Sequence, residues 1–295
     1  MKKIIGFLFL FFVVLTAQTQ TVDEILSKFE AAVGGREVLQ SVKTVQYKSD
    51  ITLNMMGNPM DVPVTVIKEN GKLLRREVSG IMGMGKSYSI LTDTAGYFYA
   101  PPMRGFGGGD RVMIRDGGGG PGSVAAVRMD GPGSGSGMDA SITKINSSTL
   151  AEEQYELDAA GAFGHLVNYA SKGHKAELLG TSKINKVECF KIKCTLNSGL
   201  EIMYYVDSKT FFVVQAEAVG RVALEQFGIG ALVEQMGSDR AKKMKLTITY
   251  SDYQDVNGVK FPMKEKLEIG AVEINMVNSD YKINETIDPK FYKLG

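Results

Sequence analysis

Residues 80–87 read GIMGMGKS and fill every position of the phosphate-loop pattern G-x-x-x-x-G-K-[ST]. In such a loop Gly80 and Gly85 would make the turn, Lys86 would meet the phosphates, and the Ser87 hydroxyl would bind magnesium. That chemistry needs a buried strand before the loop and a helix after it, so that loop amides and the helix N-terminus face the phosphates. Neither neighbour fits. KLLRREVS, 72–79, carries four charges and is too polar for a buried parallel strand. SYSILTDTAGYFYAPP is β-branched and aromatic and turns at Thr94-Ala95-Gly96, the pattern of strand, turn and strand. The stretch therefore reads as a hairpin connection whose Gly83 and Gly85 supply positive φ, and no nucleotide is expected to bind.

The other reactive side chains are few. Cys189 and Cys194 lie in VECFKIKC, where a separation of five puts them on opposite faces of one strand, out of disulfide reach. Cys194 shares a face with Phe190 and Ile192, as a small buried hydrophobe does. His165 and His174 are nine apart, and no cysteine or histidine cluster has metal-ligand spacing. Solvated or capping roles are expected for both. No serine or carboxylate comes with a base and an orienting partner. The reading is of a protein that is not an enzyme and holds no cofactor or metal.

The chain begins with Lys2 and Lys3, an apolar run from Ile4 to Leu15, and Thr16-Ala17-Gln18. This is the layout of a secretory signal peptide, with cleavage expected near Ala17. The run is short of the roughly 20 apolar residues that a spanning helix needs. Of 295 residues, 34 are basic and 33 acidic, and two of the basic ones belong to the leader, so the mature chain is close to neutral. Such a balance offers no field to hold nucleic acid or an anionic membrane surface.

The elements that would carry a site follow from periodicity and turn chemistry. Thr21 and Glu24 make a capping box, and Val22, Ile25, Leu26, Phe29, Ala32 and Val33 form one apolar stripe ended by Gly34-Gly35. From Val42 to about Tyr99 the texture is short strands joined by tight turns: TVQYKSDITLNM, DVPVTVIKE, KLLRREVS, KSYSILTD and GYFYA. Residues 104–138 are dominated by glycine, with apolar patches only at Val112–Ile114 and Val124–Val127, and read as a flexible insertion. A second capping box, Thr149 with Glu152, predicts a helix to about Ser171, closed by Gly173, with Gly161 and Gly164 as its weak points. Seven more strands follow, with Asn257-Gly258 the strongest hairpin signal, while 221–240 reads as a helix or an extended hairpin. About a dozen strands and two or three amphipathic helices give an α+β fold: a strongly curved antiparallel sheet, an incomplete β-barrel, with helices covering its concave face.

Several stretches, VDEILSKFEAAVGGREVLQSVKTV, HLVNYASKGHKAELLG, NKVECFKIKCTLNSGLEIMYYVDSKTFFVV and YSDYQDVNGVKFPMK, resemble LolA-type outer-membrane lipoprotein carrier and sorting proteins. The resemblance covers most of the mature chain apart from 104–138 and 221–240, and implies one domain over 18–295. It implies an incomplete barrel lidded by helices, an apolar cavity for acyl chains, no cofactor, and work in the periplasm of Gram-negative bacteria. The family's latch arginine near the end of the second strand has no counterpart in Val66-Ile67-Lys68-Glu69-Asn70. Arg75 and Arg76 fit the R-x-E pattern of the sorting branch, and strand alternation can send only one of them inward.

These readings combine into a periplasmic carrier or binding protein for lipids or acylated proteins, with a membrane-bound partner conceivable. The alternative is a non-catalytic sensor or scaffold of the same fold in an envelope complex. Alternation nominates Ile51, Leu53, Val64, Val66 and Ile90, then Phe190, Ile192, Tyr204, Val213 and Ile248, as residues facing the acyl cavity.

Overall fold

In a computed structural model, the described residues are 20–55, 58–79, 86–100, 112–116, 124–126, 140–145, 147–219, 245–270 and 272–294. The N-terminal helix α1 (Val22–Ala32) starts at the expected capping box: Thr21 accepts from the Glu24 amide, and the Glu24 carboxylate accepts from the Thr21 amide. Its stripe, Ile25, Leu26 and Phe29, is fully buried. The chain then turns through Gly34, whose Cβ equivalent would stand 2.5 Å from the Gly258 carbonyl oxygen. Only glycine lets this turn settle on the distant 257–258 hairpin. The short helix α2 (Arg36–Ser41) follows, with Leu39 buried.

Fifteen strands make one sheet in the order β7-β6-β8-β5-β4-β3-β2-β1-β15-β14-β13-β12-β11-β10-β9. The first half holds β1 (Thr44–Met55), β2 (Asn58–Glu69), β3 (Leu73–Val78), β4 (Ser87–Leu91), β5 (Gly96–Ala100), β6 (Val112–Asp116), β7 (Val124–Ala126) and β8 (Ala140–Lys144). The second holds β9 (Lys175–Ile184), β10 (Val187–Thr195), β11 (Glu201–Asp207), β12 (Val213–Val219), β13 (Lys245–Val256), β14 (Val259–Ile269) and β15 (Val272–Ile283). β1 to β5 and β9 to β15 are antiparallel meanders, joined where β1 pairs with β15, and β8, β6 and β7 extend the first of them beyond β5. The one parallel pairing is β6 with β8. The sheet does not close; β7 and β9 are its edges. Hairpin chemistry sets the register: Asn257 and Gly258 both take positive φ in the two-residue loop between Val256 and Val259.

Two expectations change. The helix predicted from Thr149 to Ser171 is seven residues long, α3 (Ser147–Glu153), and gives way to 3-10 turns at Gln154–Leu157, Gly164–Leu166 and Tyr169–Lys172. Gly161 and Asn168 adopt left-handed backbone that a helix cannot contain. The apolar patches of the glycine-rich segment form β6 and β7 at the sheet edge, so part of 104–138 is strand; the rest of it lies outside the described residues. The 221–240 segment, the leader and residues 80–85 lie outside them as well. On either side of 80–85, β3 and β4 pair antiparallel with Val78 opposite Ser87. A strand follows Lys86 where a phosphate loop would need a helix.

The first core cluster joins α1 and α2 to the face of β10–β14 that carries Ile192, Cys194, Tyr204, Val206, Val213 and Phe261. Phe163, Leu166 and Val167 of the 3-10 segment complete it, so the helical layer lies on the inner face of the sheet. Glu30, buried in α1, fixes that layer by pairing with Arg36 at 2.6 Å and accepting from the Asn168 amide at 2.7 Å.

Candidate functional site

A cavity of about 200 Å³ remains between the sheet and the 3-10 segment. Space of that size would hold roughly a dozen waters, far more than a packing defect. Inward positions of β1 to β5 and of β11 to β15 all border it. Phe98 on β5 and Tyr204 on β11 lie nine strands apart in sheet order. At about 4.8 Å per strand they would be more than 40 Å apart in a flat sheet. Sharing one cavity shows how tightly the sheet curls.

Aliphatic side chains, Ile51, Val64, Val66, Leu74 and Val78 on one side and Ile202, Leu246, Ile248 and Met276 on the other, share the wall with aromatic ones such as Phe98, Phe163, Tyr204 and Phe261. Tyr155 to His165 of the 3-10 segment close it on the helical side. Gly164 lets this segment fold tightly, since a Cβ there would stand 2.3 Å from Asp158 Oδ1. Asp158 in turn accepts from the Ala160 amide and pairs with Lys172. His165 hydrogen-bonds to the Tyr204 hydroxyl across the cavity wall, and burial pulls its pKa down to about 3, so the ring stays neutral.

Set into this wall is a polar cluster. Arg76 Nη2 lies 2.6 Å from Glu156 Oε2, tying β3 to the 3-10 turn that closes the cavity. Burial alone would raise the Glu156 pKa, but Arg76 and Lys68 outweigh it and hold the carboxylate below its ordinary range. The Lys68 ammonium donates to the Asp158 carbonyl at 3.2 Å, and burial lowers its pKa. Across the cavity Glu265 accepts from Asn278 Nδ2 at 2.7 Å. Burial pushes this carboxyl up to about 7, against the opposing pull of Asn278 and Arg76. Tyr47, Tyr250 and Tyr281 surround it, their hydroxyls kept neutral by burial. The resemblance implies an apolar cavity; the wall found is amphipathic.

Of the nominated residues, Ile51, Val64, Val66, Tyr204 and Ile248 border the cavity. Ile192 and Val213 face the same way but lie under the helical layer in the first core cluster, with Phe190 packed at its margin. Ile90 is on the other face, in a cluster with Ile67, Leu73 and Ile287, because the β3–β4 register turns Ser89 and Leu91 inward instead. Leu53 is a β1 position opposite Met60 and Ile274. The two arginines divide as alternation requires. Arg76 points into the cavity. Arg75 is buried on the outer face, paired with Glu77 at 2.8 Å, stacked 4.0 Å from the centre of the Tyr88 ring, and donating to the Phe291 and Lys293 carbonyls. It fastens the C-terminal segment to the sheet.

Glu156, Glu265, Asn278 and Tyr47 were missed by sequence reasoning, though a signal existed for three of the cluster's members. Inward apolar alternation is broken by one polar residue in Val62-Val64-Val66-Lys68, in Phe261-Met263-Glu265-Leu267 and in Ile274-Met276-Asn278. The two cysteines are free and buried. Among the described residues no cluster of His, Cys, Asp and Glu could hold a metal ion, and no helix is long and apolar enough to cross a membrane.

No protein-family model and no curated protein matches the chain. Solved structures do. A LolA superfamily protein from Nitrosomonas europaea is 11% identical, with 93% of this chain and 99% of that chain covered and a TM-score of 0.50. A DUF1329 family protein from Desulfovibrio piger is 9% identical over 93% and 98% of the two chains, at a TM-score of 0.45. A putative outer membrane lipoprotein-sorting protein domain from Vibrio parahaemolyticus is 10% identical over 91% and 94%, at 0.42. In fold the chain is similar to the LolA superfamily protein from Nitrosomonas europaea.

Proposed function

We propose that this protein is an exported, periplasmic carrier or binding protein for lipids or acylated proteins, and that it catalyses nothing. The observation that carries this reading is the cavity: ten strands turn their inner faces onto one partly open space whose wall is mostly apolar, aliphatic and aromatic together. An acyl chain placed there would gain about 0.8 kcal/mol for each CH₂ removed from water. His165, the one histidine at the cavity, is neutral and held by the Tyr204 hydroxyl. The leader near Ala17 would deliver the chain to the periplasm, where a membrane-bound partner could load or unload it. The Arg76–Glu156 pair is the tie that opening of the 3-10 segment would have to break. Lipid bound during export supplies the test. Native mass spectrometry of protein purified from the periplasm should show an adduct of lipid mass that organic extraction removes. Ligand-free protein that also fails to take up added lipid would count against the reading.

A further inference from the structure

Lys68 and Arg76 stand on one face of β2 and β3 as diagonal neighbours, since Val66 pairs with Arg76 and Lys68 with Leu74. Their Cβ atoms are then within about 7–8 Å of each other. Arg76 has its carboxylate in Glu156. Lys68, among the described residues, has no carboxylate at ion-pair distance, only the Asp158 carbonyl. The remaining acids at the cavity margin are already engaged, Asp158 by Lys172 and Glu217 by Lys245. Arg76 thus has two buried carboxylates near it, Glu156 in contact and Glu153 close enough to act on its charge, while Lys68 is the cation of the cluster with none at ion-pair distance among the described residues. A buried charge without a counter-ion is costly, and a ligand that supplies one recovers that cost.

We propose that the cavity accepts a singly charged anionic amphiphile, its headgroup between Lys68 and Arg76 and its chain along Val64, Val66, Ile248 and Met276. This rests on the acyl-chain reading above and adds the charge of the headgroup, a carboxylate or a phosphate ester. Glu265 makes the affinity depend on pH. It is faced by Tyr47 from β1, Arg76 from β3, Glu156 from the 3-10 turn, Tyr250 and Tyr253 from β13, and Asn278 and Tyr281 from β15. Its carboxyl keeps a proton up to about pH 7. Once ionised it adds a negative charge to the cluster and repels a bound anion. Anion binding weakens as pH rises.

The test is calorimetry with an alkyl sulfonate, which is charged at every pH used, against a primary alcohol and a trimethylammonium of the same chain length. The sulfonate should bind about tenfold tighter than the alcohol at about pH 6, with the cation weakest. That advantage should shrink by about pH 8 in the native protein and stay constant in Glu265→Gln. In Lys68→Met the sulfonate and the alcohol should bind alike. A fatty carboxylate and a lysophosphatidylglycerol of equal chain length, each with one negative charge, run in parallel, identify the headgroup; if neither outbinds the alcohol, the proposal is wrong. Equal affinity of sulfonate and alcohol for the native protein would overturn it while leaving chain binding intact. Failure of every probe to bind would bring down the acyl-chain reading itself.

Discussion

Glu265 is the side chain whose proton most alters the interior. Its folded pKa, about 7, lies above the ordinary carboxylate value, so the folded state holds the proton over a range where the unfolded chain has lost it. Stability from this group is therefore fully present below about pH 4.5 and is lost as pH climbs toward 7. Glu265→Gln, which can still accept from Asn278, should match the native protein in acid and gain on it by up to about 3 kcal/mol above neutrality, read by denaturant melts. A constant difference across that window would show that Glu265 does not titrate there. His165 acts with opposite sign: its folded pKa is depressed to about 3, so its contribution is present above about 6.5 and is lost as pH falls. On the outer face, Arg75→Ala removes an ion pair, two carbonyl contacts and the Tyr88 stack together. We expect a loss of about 3–5 kcal/mol and faster proteolysis of the C-terminal segment. Lys86→Ala, by contrast, removes only a 3.9 Å contact of an exposed lysine with Glu77, and its melting temperature should not move.

The strands were legible because their alternation and turns are local: β1, β5 and β9 span the stretches TVQYKSDITLNM, GYFYA and KAELLGTSKI that periodicity marked out. The helical cover was not, because its shape is set by contacts far along the chain. The Gly71 amide donates to the Leu157 carbonyl, and the Asn70 side chain accepts from the Ala159 amide, so the β2–β3 turn pulls 157–159 out of helical geometry. Thr149 and Glu152, spaced as a capping box, sit inside α3. The site was half legible for a similar reason. Alternation finds which residues face inward, as with Val64 and Val66, but not which inward residues the helices cover, as with Ile192 and Val213. Gly164→Ala tests the cover directly. Its Cβ must displace Asp158, so we expect a loss of about 2 kcal/mol or more and weakened Asp158–Lys172 pairing. The described residues of the glycine-rich segment, β6 and β7, lie at one end of the sheet, so replacing 104–138 with a short linker should shift the melting temperature by only a few degrees.

At the scale of the whole molecule, a sheet of fifteen strands spends its curl on enclosing space instead of closing on itself. Aliphatic and aromatic walls, a charged corner at Lys68 and Arg76, and a cover tied by Arg76 to Glu156 form one compartment, which under the proposed function would take a chain with a polar end. A sensor or scaffold of this fold would keep the compartment but need not fill it, so occupancy separates the two roles. The most direct measurement is calorimetric titration of the delipidated protein with straight-chain ligands of increasing length, alongside Ile248→Trp, which fills the aliphatic wall without adding charge. The account predicts affinity rising severalfold with each added CH₂ until the chain outgrows the cavity, and a marked loss in the folded Ile248→Trp variant. Affinity that ignores chain length, or that survives Ile248→Trp unchanged, would contradict it.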